Sequence, residues 1–148
     1  MAYKKIKSYE FSEAELRSLW HETYCREHII TFDGITVHFY PEMFDHAFYE
    51  SDDRLEKDKS ILSLNRCEKM LWIKDTLEDP TAILKQGWIS RKKSHDPTRR
   101  VALIKGNYVV IINIMGNGKA RFITAFQIDD EENLEKLKNG PDWAQKKR

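Results

Sequence analysis

Between His95 and Ile128 the chain reads HDPTRRVALIKGNYVVIINIMGNGKARFITAFQI, three apolar runs with cations threaded through them. Arg99, Arg100, Lys105, Lys119 and Arg121 fall at the ends and edges of those runs. Cations held on a rigid sheet are what phosphate binding or phosphodiester chemistry needs, and arginine adds a planar, permanently charged fork. Upstream, PEMFDHAFYE carries His46 in a short amphipathic stretch. An imidazole, with an ordinary pKa of about 6.5, suits either proton-transfer role. Together these groups fit RNA cleavage in which the 2′-hydroxyl of the substrate is the nucleophile. That reaction asks the protein for a base, an acid for the leaving 5′-oxygen, and cations for the charged phosphorane.

His46 is the first candidate for acid or base. Phe44, Ala47 and Phe48 form an apolar stripe that would pack its helix on the sheet, and Glu50 at i+4 would orient the ring. The bland alternative is a surface histidine. His95 is the rival, although HDPT equally reads as an Asx or Ser/Thr turn that opens a strand. Arg99, Arg100 and Arg121 are the phosphate candidates. Alternation puts Lys119, Arg121, Ile123 and Ala125 on one face of the last strand, and Phe122, Thr124 and Phe126 on the other. Thr124 is a hydroxyl donor to phosphate or a plain strand former, and Lys105 beside Gly106 is a substrate contact or a solvated strand end. Trp88 and Tyr108 flank the basic loop, where they pack in the core or stack on a base.

Several chemistries find no support. There is no GxxxxGK[ST], no GxGxxG after a strand, no HExxH and no GxSxG. The five histidines, His21, His28, His38, His46 and His95, form no metal-ligand spacing with carboxylates. Neither a metal nor another cofactor is expected. Cys25 and Cys67 stand apart, without CxxC spacing, and read as reduced. No apolar run approaches the roughly 20 residues of a membrane span, and the basic amino terminus lacks an apolar signal region. The cytoplasm is the expected compartment.

Net charge is +1, but it is unevenly spread. From Lys85 to Arg121 nine cations face one carboxylate, Asp96, whereas from Pro41 to Pro80 eleven carboxylates face six cations. This pattern fits a cleft with one basic wall, or two halves that neutralise each other.

The positioning elements follow from period and punctuation. Ser12 and Glu15 make a capping box before a helix over about Glu13 to Arg26. HIITFDGITVHF is a hairpin around Asp33-Gly34. A helix follows Pro41 up to about Glu50, then a charged connector over 51–60 and a longer helix from Ser60 to about Leu77. Pro80 to Lys85 is one helical turn, broken by Gly87. The strands are Arg100 to Lys105, Tyr108 to Ile114 and Ala120 to Ile128, followed by a helix from about Glu131 to Lys138. The order gives an α+β single domain over 1–148.

HAFYES, WIKDTLEDP, GWISRKKSHDPTRR, KGNYVVII and KARFITAF occur in this order, and with them the chain resembles the phage-encoded nucleases of the barnase–EndoU–colicin–RelE superfamily. The resemblance covers roughly Thr31 to Ile128, leaving a helical extension over 1–30 and a tail over 139–148. It implies amino-terminal helices and a hairpin, then a twisted antiparallel meander with helices packed on one face and a site on its concave side. The implied activity is metal-independent endoribonuclease cleavage of tRNA, mRNA or rRNA, with an immunity or antitoxin protein as a further partner. Carried onto this chain, His46 is the acid or base, Arg99 and Arg121 are phosphate ligands, and Thr124 is a hydrogen-bond donor. Glu50, His95, Arg100, Lys105, Tyr108 and Lys119 complete the candidate substrate contacts. The competing readings are a non-catalytic RNA- or protein-binding module of the same fold, and a plain interaction domain.

Overall fold

A computed structural model describes residues 3–50, 61–89 and 94–143. The expected connector over 51–60, basic residues 91–93 and the end of the tail, 144–148, lie outside the described residues. Helix α1 (Glu13–Trp20) starts at the capping box: the Glu15 N–H donates to the Ser12 hydroxyl, and the Glu15 carboxylate accepts the Ser12 N–H. It runs on into a π-type turn, His21–Cys25, so that Leu16, Trp20 and Tyr24 form one buried stripe. The hairpin β1 (Ile29–Ile30) and β2 (Thr36–His38) closes around Gly34 at φ +92°, a conformation glycine adopts without strain.

The remaining elements are α2 (Met43–Phe48), β3 (Tyr49–Glu50), β4 (Ile61–Leu62), α3 (Leu64–Cys67), α4 (Trp72–Glu78), β5 (Ile83–Ile89), β6 (Ser94–Lys105), β7 (Tyr108–Gly116), β8 (Lys119–Gln127) and α5 (Glu131–Lys138). Six strands form one sheet in the order β1-β2-β8-β7-β6-β5. The meander β5 to β8 is antiparallel, and β2 docks parallel to β8, which makes the sheet mixed. The class is α+β.

One face of the sheet carries the main core. Trp20 sits at its centre, with ring centroids 4.7 Å from Tyr24, 5.4 Å from Phe48 and 5.7 Å from Phe122, and its indole N–H donates to the Tyr40 carbonyl at 3.1 Å. Each such side chain contributes roughly 1.5–3 kcal/mol by leaving water. The other face has a smaller apolar cluster, Ala102, Ile104 and Val109, covered by Leu134 and Leu137 of α5. Helices therefore pack on both faces, where one was expected, because α5 folds back over the far ends of the strands.

Three local expectations are corrected. The helix expected from Ser60 to Leu77 is split into β4, α3 and α4. The Tyr24 hydroxyl donates to the Met70 carbonyl at 2.6 Å and accepts the Lys74 N–H at 3.0 Å. A side chain is thus inserted where the i→i−4 bond would run, and that breaks a helix. Pro80 to Lys85 is not a helical turn. The Asp79 carboxylate accepts the Thr81 N–H at 2.8 Å, and from Ile83 the chain pairs with β6. Finally, β6 begins at Ser94, so the HDPT stretch is strand, with His95 opposite Trp88.

Candidate functional site

Adjacent strands place one row of side chains across the outer face of the sheet. His38 on β2 pairs with Arg121 on β8, Arg121 with Asn113 on β7, and Asn113 with Arg100 on β6. Directly paired residues share a face. The neighbouring row, Phe122, Ile112 and Val101, is buried in the main core, so the cationic row points the opposite way. Extending the hairpin register by one pair sets His28 opposite His38, and their ring centroids are 4.3 Å apart. With strands about 4.8 Å apart, the row from His28 to Arg100 crosses about 19 Å.

Among the described residues the His38 Nε2 is buried without a hydrogen-bond partner, and so is the Nε of Arg100. Buried polar atoms are nearly always paired, so two orphans in one row depart from ordinary core bonding. Burial first, then the facing His28 and the Lys119 ammonium, hold the His38 pKa below the ordinary histidine value. The ring is therefore neutral near pH 7, the form that accepts a proton. Arg100 owes its placement to Gly87. A Cβ on Gly87 would lie 2.0 Å from the Arg100 Cγ, so the arginine stem crosses β5 only because no side chain stands there.

A bulge changes which residues share the Arg121 face. Asn113 pairs with Arg121, Ile112 with Phe122, and Ile111 with Thr124, which leaves Ile123 as the extra residue. Thr124 therefore faces outward with Arg121 and Lys119, and Ala125 turns into the core. Strict alternation had separated Thr124 from Arg121 and put Ala125 beside it.

His46 approaches from the side. β2 ends at His38, the chain turns through Tyr40 and Pro41 into α2, and the rest of β8 has no strand on that flank among the described residues. In the gap lies a groove of about 330 Å³ lined by Tyr40, Glu42, Met43, His46, Arg121, Phe122 and Ile123. The structure thus brings His46 and Arg121 to one groove. Helix α2 stops at Phe48, with Tyr49 extended, so Glu50 belongs to β3 and does not sit a helical turn above His46. The side chains of Glu50 and His95 lie outside the described residues.

The other candidates spread out. Arg99 is exposed on β6, two strands from β8. Lys105, at the far end of β6, pairs with the Asp79 carboxylate at 3.4 Å and bonds the Thr81 hydroxyl, tying down the α4–β5 turn. Tyr108 is 4% exposed at the start of β7, with its ring edge-on to Trp72 at 5.2 Å. Lys119 is exposed beside the row, opposite Thr36.

His28, His38 and Asn113 were not among the candidates. The histidines had a readable signal: they stand five residues either side of Asp33, symmetric about the turn, so a two-strand register pairs them. Asn113 interrupts the apolar run of β7 in phase with Arg121, but only the pairing makes that phase meaningful. Among the described residues no group of three or more His, Cys, Asp or Glu side chains is placed to hold a metal ion. Imidazoles, guanidiniums and amides dominate the row, a set suited to an anion. No family model, curated protein or solved structure matches the chain.

Proposed function

We propose that the protein is a metal-independent endoribonuclease of the barnase–EndoU–colicin–RelE type, working on the outer face of the sheet. The observation that carries the reading is the register His38–Arg121–Asn113–Arg100, with His28 against His38. A base in its neutral form stands beside one guanidinium, Arg121, with a second, Arg100, two strands further along the same face, an arrangement that suits 2′-hydroxyl attack with the adjoining phosphate held alongside.

In this mechanism His38 takes the 2′-hydroxyl proton through Nδ1, the nitrogen left once Nε2 is buried. The 2′-oxygen bonds to phosphorus, Arg121 stabilises the charged phosphorane, and Arg100 holds a phosphate further along the strand. The P–O5′ bond breaks as His28 or His46 protonates the leaving oxygen, giving a 2′,3′-cyclic phosphate and a 5′-hydroxyl. Asn113 and Thr124 donate to phosphate oxygens, and Lys119 draws in the strand. RNA is the partner, and an immunity or antitoxin protein would cover the same face.

The test is incubation of the purified protein with total RNA in EDTA, beside His38→Ala, His46→Ala and Arg121→Ala, with product ends typed. Wild type yields discrete fragments with cyclic-phosphate ends, and His38→Ala slows cleavage by about 100-fold or more. Activity that survives His38→Ala and falls in His46→Ala would move the base to the groove. Absence of wild-type cleavage would overturn the nuclease reading. Salt-dependent RNA retention in that case would favour a non-catalytic RNA-binding module, which needs the cations and not the imidazoles.

A further inference from the structure

Helix α2 is only six residues long, and its side chains divide into two sets. Phe44, Ala47 and Phe48 are buried in the main core, while Asp45 and His46 form the exposed side. No side chain caps its first turn. A helix this short does not hold itself together in water, so its contacts with the rest of the protein set its orientation. Apolar packing from below is non-directional and resists rolling about the helix axis weakly. A roll of about 20° carries a side-chain tip about 6 Å from the axis through about 2 Å. That is enough to take His46 out of the groove it shares with Arg121.

Arg17 of α1 opposes such a roll from the exposed side. Its Nη2 donates to the Asp45 carboxylate at 2.5 Å and to the Tyr49 hydroxyl at 3.4 Å. The guanidinium carbon lies 4.6 Å from the centre of the Phe44 ring. The fork is itself held on α1, where Nε donates to Glu13 one turn earlier at 3.2 Å, and Glu13 also accepts the Tyr49 hydroxyl. One guanidinium thus joins α1 to Phe44, Asp45 and Tyr49. Side chains of the Arg17–Asp45 pair are 37% and 59% exposed, so the pair adds little to stability. What it supplies is direction, since charged forks bond along defined lines.

Asp45 and His46 are consecutive, about 100° apart around the helix, so whatever turns one turns the other. We propose that Arg17 is a positioning residue, whose bond to Asp45 sets the rotation of α2 and with it the place of His46 beside Arg121. Arg17 does not line that groove, so it acts only through α2. Its bearing on catalysis rests on the reading in which His46 hands over a proton there.

Nuclear magnetic resonance of the full chain with labelled histidine tests it beside cleavage, the His46 line being assigned by its loss in His46→Ala. Arg17→Met keeps an apolar stem over Phe44 and removes the bond to Asp45. The His46 line should move or broaden in that variant while the His38 line and the urea midpoint stay where they are. Cleavage should lose about tenfold in kcat at unchanged KM, because displacement of a proton donor by an ångström or two is felt in the chemical step. Arg17→Lys, which still reaches Asp45 with a positive charge, should restore most of both. On top of Asp45→Ala, Arg17→Met should add nothing, because the two side chains act as one contact.

A His46 line that does not respond to Arg17→Met overturns the inference. So does an Arg17→Met effect undiminished on top of Asp45→Ala. A lower urea midpoint with the His38 and His46 lines displaced together also overturns it, as the mark of a merely structural role. Wild type that fails to cleave sinks the nuclease reading by itself, and the His46 line still decides the case of Arg17. A displaced His46 line with undiminished kcat supports the grip of Arg17 and counts against His46 as the acid.

Discussion

Phe122, Ile112 and Val101 form one row across β8, β7 and β6; Arg121, Asn113 and Arg100 form the next, one residue away on each strand. The first row is at most 2% exposed and sits in the main core. The second faces outward, and Arg121 is exposed. One residue of strand period separates hydrophobic burial from polar chemistry. The inner row holds the fold together and constrains residue type by volume. The outer row is under no such constraint, so a histidine, two arginines and an asparagine in register point to a ligand. The far end of the same face sharpens the contrast. There α5 covers Ala102, Ile104 and Val109, and the outward residues are apolar again.

Exchanging the two rows for alanine gives the widest separation. Phe122→Ala removes a ring that touches Trp20 and Phe39 and should destabilise the protein by about 3–5 kcal/mol, seen as a lower urea midpoint at constant slope. Arg121→Ala should move stability by no more than about 0.5 kcal/mol while RNA cleavage or retention falls away. Equal losses of stability in both would show that the outer row is part of the fold and sink the comparison.

Gly87→Ala is an intermediate case, because it reaches the outer row through packing. The new methyl would meet the Arg100 Cγ, and near the backbone that stem has little room to give. A loss of about 1–3 kcal/mol is expected from overpacking. RNA affinity should fall as it does in Arg100→Ala, which leaves Gly87 in place. An unchanged affinity in Gly87→Ala would remove Arg100 from the site.

Much of the framework was legible. The Ser12–Glu15 capping box, the hairpin at Asp33-Gly34, the meander and the last helix are local signals, and local signals survive into the fold. What was illegible depends on partners distant in sequence. Nothing near Met70 announces that Tyr24 will take its carbonyl, so the break between α3 and α4 could not be read. The bulge at Ile123 likewise appears only when β7 is set against β8, and it decides that Thr124 joins Arg121. For the site, His46 and Arg121 were named and do line one groove, whereas His38 entered only through its parallel pairing with β8. A parallel strand pair leaves no turn signal in sequence, so its register is the last thing a sequence discloses.

The smallest expected effect, and the one that tests the electrostatics of the outer row, is on pH. Burial, His28 and Lys119 favour the neutral ring of His38, so its folded pKa lies below the ordinary 6.5. Between those two values the unfolded chain binds more protons than the folded one. Stability from this source is therefore fully present above pH 6.5 and is lost as pH falls through the window toward the folded pKa. His38→Gln should flatten that acid limb of urea stability and leave the neutral plateau in place. Lys119→Ala removes the weakest of the three causes, so the lower end of the limb, at the folded pKa, should move back up toward 6.5 and the acid loss of stability should shrink slightly. If His38 is the base, the pH at which cleavage falls to half moves upward in Lys119→Ala in step with the stability limb. A cleavage profile that ignores Lys119 while the His38 limb moves would separate this imidazole from the chemistry and return the proton transfer to His46.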